Sequence, residues 1–173
     1  HDVAHFLDVA RLAWIENLER GLGVSKEEIY AAALLHDIGR SVDHSIMHAW
    51  YGAQIAERLG LPQAVVDIIL KHTGAGLDEQ DVEEMGLPKA DYMPRTLEEK
   101  IVAHADNLVS DNRVVKHDHS VSKLVSKGAF RGAERVELLH MELSDLYGAD
   151  LDTIPDKIGE YPELKAVGDY NLQ

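Results

Sequence analysis

The chain has 173 residues, enough for one domain with its own core, and no cysteine, which removes disulfides, thiolate metal ligands and a thiol nucleophile together. It carries 17 basic against 31 acidic residues, a formal charge of −14, which opposes general binding to a nucleic-acid backbone. No apolar run approaches the roughly 18 residues of a membrane span and no signal-peptide pattern is present, so the expectation is a cytoplasmic protein. Its first residue is His1 rather than Met, which reads as a processed or trimmed start with room for an upstream segment.

Taken in chain order, Phe6, Val9, Ala10, Ala13 and Trp14 fall near a 3.6-residue period and predict a helix over 3–18, ended by Gly21 and Gly23. Ser25 and Glu28 form a capping-box pattern that opens a second helix, which runs through apolar 31–35 to His36-Asp37 and stops at Gly39. A third helix is expected from Ser45 to Leu59 with Gly60 as its cap, and a fourth from Pro62 to His72. Residues 77–95 read as an acidic loop with room for one short helix before Gly86. Thr96 and Glu99 repeat the capping pattern and open a helix carrying Asp106. A short helix over 120–127 and a longer one over 131–147 follow, then an irregular tail with one further turn. No strand alternation stands out. The fold class is therefore all-α, a compact single-domain helical bundle over 1–173.

Chemistry concentrates in a few places. His36-Asp37 interrupts an apolar helix just before a glycine stop. An isolated His-Asp pair is ordinarily a surface feature, or a histidine charged by its neighbour. Here the flanks read as buried, and a carboxylate without a cation is costly to bury. A metal resolves that cost. Asp106, among Ile101, Val102, Ala105 and Leu108, poses the same problem on another helix, unless it lies on an exposed face. His5 judged alone is more often a packed core residue than a ligand. His44, His104, His117, His119 and His140 are read as packed or solvated, and Trp14, Trp50 and Tyr51 as core residues, one of which could line a base pocket.

Together His5, His36-Asp37 and Asp106 resemble the signature of the HD superfamily of metal-dependent phosphohydrolases: a His, then His-Asp, then a distant Asp. The correspondence runs from His5 to about Arg113 and makes 1–113 the metal-binding core of an HD-type bundle, with 114–173 as accessory helices. His48-Ala49-Trp50-Tyr51-Gly52-Ala53 and Lys71-His72-Thr73-Gly74 are similar to segments of two-metal HD proteins, including hydrolases of dinucleoside polyphosphates. The resemblance implies that Asp37 bridges two ions, that His5, His36 and Asp106 complete one site, and that His48 and His72 serve the other. The alternative is one ion, with His48 and His72 contacting phosphate or moving protons. Imidazole and carboxylate ligands suit Fe, Mn, Co, Ni or Zn, with Mg also possible.

Asp37, Arg40 and His72 are the expected catalytic residues. Arg40 occupies the place of a phosphate-contacting Lys in some relatives, and Lys71 and Arg95 are further candidates for substrate phosphate. The expected partner is a small phosphorylated substrate of nucleotide type. A homodimer is allowed, and a membrane or nucleic-acid partner is disfavoured. The glycine-tyrosine-proline element and paired histidines of cyclic-di-GMP phosphodiesterases are missing. Ala90 to Lys100 is similar to a segment of archaeal HD proteins found beside or fused to transfer-RNA modification enzymes. This keeps open a metal-stabilised binding or regulatory module without turnover.

Overall fold

A computed structural model describes residues 5, 8–13 and 25–160. Residues 5 and 8–13 are helical, with Val9, Ala10, Leu12 and Ala13 fully buried. Helix α1 (Lys26–Leu35) starts where Ser25 Oγ accepts a hydrogen bond from the Glu28 amide at 3.3 Å. It is followed by a 3-10 turn (Ile38–Ser41), α2 (His48–Arg58), α3 (Gln63–Lys71), α4 (Glu79–Glu84), α5 (Leu97–Asn107), α6 (His117–Ser126), α7 (Phe130–Tyr147) and α8 (Thr153–Asp156). Both α4 and α5 open on complete capping boxes, Asp78 with Asp81 and Thr96 with Glu99. Among the described residues no helix is long and apolar enough to cross a membrane.

The elements pack in a simple order. α1 lies against α3 and α5, α2 pairs with α3, and α6 lies along α7, which in turn packs on α5. Ala32 and Ala33 let α1 approach its neighbours closely, and one apolar core runs from Val9 through Ile68, Ile101 and Leu139 to Ile154. A smaller cluster of Leu77, Leu87 and Tyr92 lies beneath Trp50, which is half-buried. Trp14, Gly21 and Gly23 lie outside the described residues.

The structure differs from the expected elements in three places. α2 begins at His48 rather than Ser45, because residues 44–47 form bends and turns. α6 begins at His117 rather than Ser120, its first amide held by the Asp152 carboxylate at 3.0 Å. A two-residue hairpin, Val109–Ser110 against Arg113–Val114, follows α5. Its turn places Asp111 and Asn112 at φ 49° and 61°, the paired positive angles of a type I′ turn, which Asp and Asn tolerate better than most residues.

Candidate metal centre

All six residues expected as ligands converge, and each reaches the centre from the end of an element or from the N-terminal helical segment. His36 is the C-cap of α1, and Asp37, at φ −97° and ψ 11°, leaves the helix and starts the 3-10 turn. This break lets two neighbouring side chains face one point, which a continuous helix would turn about 100° apart. His48 opens α2, His72 caps α3, and Asp106 is the penultimate residue of α5.

Gly39 and Gly52 set the spacing between the 3-10 turn and α2. A Cβ on Gly39 would overlap the His48 carbonyl oxygen and sit 2.5 Å from the Gly52 nitrogen. The turn that carries Asp37 therefore rests directly on the backbone that carries His48.

Asp37 divides the donors. Its Oδ1 lies 3.2 Å from His48 Nε2 and 3.5 Å from His72 Nε2. Its Oδ2 faces His36 Nε2 at 3.7 Å and His5 Nε2 at 3.9 Å. Asp106 Oδ1 completes that second half, 3.2 Å from His5 and 3.3 Å from His36. Two donors each about 2.1 Å from a common ion lie about 3.0 Å apart at a right angle and about 3.4 Å apart at a tetrahedral angle. The shorter separations fall in that range, so the donor set fits a metal.

Tautomers give a second test. The Nδ1 atoms of His36, His48 and His72 each lie 2.7 Å from a carbonyl three residues earlier, those of Ala33, Ser45 and Ile69. A carbonyl only accepts, so each Nδ1 carries the hydrogen and each neutral ring turns its Nε2 lone pair inward. His48 and His72 then bring two such nitrogens to 3.1 Å. Only a proton or a cation between them makes that approach favourable.

The electrostatics agree. Burial alone would raise the Asp37 and Asp106 pKa values, but the surrounding imidazoles hold both carboxyls far below the ordinary carboxylate range. Burial would lower the His36 pKa, yet the Asp106 carboxylate, assisted by Asp37, raises it on balance. His72 is lowered, chiefly by burial, with His36 and His48 adding to the effect against Asp37. Two permanent carboxylates facing a wall of imidazoles suit a divalent transition metal better than a structural zinc of the thiolate kind.

The expected phosphate contacts separate. Arg40 borders the centre, its Nε 2.8 Å from Asp37 Oδ1 and its guanidinium donating to the carbonyl of exposed His44. Lys71 pairs instead with buried Glu99 at 3.0 Å, neutralising the carboxylate that caps α5. Arg95 pairs with Asp91 at 2.7 Å on an exposed loop. Neither Lys71 nor Arg95 lines the cavity of about 240 Å³ over the centre. His5, Asp37 and Asp106 line that cavity, along with Arg40, Lys123 and Lys127. The two lysines carried no sequence signal, because α6 has no motif and meets the centre only through tertiary packing. A larger cavity of about 1040 Å³, between α4 and the 87–95 loop, contains none of the six ligands.

His117 and His140 are more engaged than a packed or solvated reading anticipates. Their rings stack in parallel with centroids 3.6 Å apart, and His117 lies between Asp152 at 2.8 Å and Glu137 at 3.1 Å. His140 links Asp150 and buried His104, each at 2.9 Å. His117, His140 and Asp152 are close enough to share an ion, but parallel rings aim their lone pairs poorly at one point.

The chain is similar to several known proteins. Over 126 residues, 73% of the chain, it is 45% identical to tRNA (cytidine(56)-2'-O)-methyltransferase of Picrophilus torridus, of which it spans 37%. Over 151 residues it is 39% identical to an uncharacterized protein of Methanocaldococcus jannaschii, with 83% of this chain and 88% of that one covered. Among solved structures, the HD domain of the L. monocytogenes phosphodiesterase PgpH superposes with a TM-score of 0.56 at 17% identity, over 91% of both chains. The same domain in complex with cyclic-di-AMP gives 0.55 at 16% identity over 95% of this chain and 93% of that one. Residues 3–111 match the HD domain family, and they contain all six converging candidate ligands; the chain belongs to that family.

Proposed function

We propose that the chain is a metal-dependent phosphohydrolase that holds two divalent ions bridged by Asp37 and cleaves a phosphate ester or anhydride of a nucleotide-type substrate with water. The observation that carries this reading is the division of Asp37, one oxygen facing His48 and His72 and the other facing His5 and His36. The ions would supply Lewis acidity, polarising a phosphoryl oxygen and making water nucleophilic near neutral pH. His5, His36 and Asp106 hold one side of the centre, and His48 and His72 the other. Their Nδ1–H bonds to backbone carbonyls keep the rings from turning. Arg40, tethered to Asp37 at the cavity edge, stabilises negative charge growing on the equatorial phosphoryl oxygens. That the PgpH domain was solved with cyclic-di-AMP supports a nucleotide as a ligand for this fold.

The test is a panel of nucleotides, dinucleoside polyphosphates and simple phosphodiesters, assayed with Mn, Fe, Co, Ni, Zn and Mg. Turnover that chelation removes and metal restores is expected, and Asp37→Ala should lower it by at least about a thousandfold with the fold retained. Crystals soaked in metal should show two anomalous peaks. A single peak would defeat the bridged pair, and no turnover at full metal occupancy would defeat the enzyme reading. The second reading, a metal-holding module without turnover beside an RNA-modifying enzyme, is favoured by the likeness to the methyltransferase, of which the chain spans 37%.

A further inference from the structure

Basic side chains are outnumbered on this acidic chain, and two of those without an ion-pair partner among the described residues border the cavity, beside Asp111. Lys71, Lys100, Lys116, Arg131 and Arg135 each hold a carboxylate, as an excess of acidic residues allows. Lys123 and Lys127 are exposed, have no ion-pair partner among the described residues, and line the cavity over the metal ligands. They stand four residues apart, one turn along α6, so both reach the same side of that helix.

That helix is fixed to the centre by its first turn. Ser120 Oγ donates to the Asn107 carbonyl at 2.6 Å, one residue beyond Asp106. His119 Nε2 meets Ser110 Oγ at 3.2 Å, and the His117 amide donates to Asp152 at 3.0 Å. The lysines thus project from a backbone tied to the Asp106 segment. Both lysines also stand at the C-terminal end of α6, Lys123 in its last turn and Lys127 as its C-cap, where the helix dipole favours a cation without specifying which way the side chain faces.

A cavity of about 240 Å³ is small for a whole nucleotide, since ligand pockets ordinarily run from about 300 to 1,000 Å³. It admits the reacting phosphate and leaves the remainder of the substrate at the rim. We propose that Lys123 and Lys127 form a second phosphate subsite, separate from the metal ligands, that selects substrates carrying another phosphate beside the one cleaved. This rests on the phosphohydrolase reading for its reacting phosphate, while the subsite itself is a binding property.

The experiment uses the metal-loaded protein and two probes, adenosine 3′,5′-bisphosphate and AMP, measured by calorimetry at constant salt. The wild-type protein should bind the bisphosphate about tenfold more tightly than AMP, the scale of one added ionic contact. Lys123→Met with Lys127→Met keeps the aliphatic stems and should abolish that preference. AMP affinity should stay within about threefold and the melting temperature within about 2 °C. Lys123→Glu should invert the preference. Absence of a preference in the wild type, its persistence in the double variant, or an equal loss for both probes would each overturn the subsite. Turnover across the panel of nucleotides, dinucleoside polyphosphates and phosphodiesters reads the catalytic proposal separately: its absence in the wild type at full metal occupancy would defeat that proposal and leave the binding comparison intact.

Discussion

At the level of single residues, proton placement separates the two histidine clusters. In the metal centre, Nδ1 bonds to carbonyls turn three rings inward, whereas His117 has a carboxylate at each ring nitrogen. Burial would lower the His117 pKa, but Asp152 and Glu137 raise it on balance. Its stacked neighbour His140 is lowered, by burial first and then by the charges of His104 and His117. The two stacked rings are thus shifted in opposite directions. Because the folded-state pKa of His117 lies above its unfolded value, its contribution to stability is complete below about pH 6.5 and disappears as pH rises through the folded value. The stability difference between wild type and His117→Gln should therefore be larger at about pH 6 than at about pH 8.5, as read from urea denaturation. Equal differences at the two pH values would mean that the ring is held neutral.

At the level of elements, the closest approach is between the 3-10 turn and α2, where two glycines meet. Gly39→Ala forces a methyl group into backbone that cannot yield, and should destabilise the protein by about 3 kcal/mol. Gly52→Ala meets Cγ2 of fully buried Ile69 at 2.9 Å and the Gly39 nitrogen at 3.2 Å, a milder overlap than at Gly39, so about 2 kcal/mol is expected. Thermal unfolding of both variants, with metal affinity as a second readout, tests that order. The elements themselves were unequally legible in the sequence. Ser25 and Thr96 announced α1 and α5 because capping places fixed residue types at fixed offsets. The hairpin over 109–114 went unseen because two-residue strands have no alternation to detect, and only Asp111-Asn112 marked its turn. The six converging candidate ligands were legible as a pattern of residue types along the chain. Lys123 and Lys127 were not, since their place depends on how α6 docks rather than on any local motif.

At the level of the whole molecule, the ligands come from segments far apart in sequence, and packing alone brings them together. The helical segment with His5 also carries Arg11, whose guanidinium donates to the Ile158 carbonyl at 2.6 Å across 147 positions. That bond ties one side of the centre to the last described turn. Arg11→Met should cost about 1–2 kcal/mol. It should also weaken metal binding more than the corresponding loss of the exposed Arg95–Asp91 pair, whose partners stand away from the centre. Calorimetric metal titration of Arg11→Met beside Arg95→Met decides this, and equal affinities would show that the His5 segment docks without the bond.

The shared carboxylate of Asp37 has a thermodynamic consequence. If each half holds an ion, a carboxylate facing both would couple the two binding equilibria, and whatever factor the first ion imposes on the second, the second imposes on the first. A metal titration should then depart from two independent sites. His48→Gln, whose ring faces Asp37 and His72, should change affinity at the half built from His5, His36 and Asp106 as well. An isotherm of two independent sites, with the distant half unaltered in His48→Gln, would mean that Asp37 belongs to one ion alone.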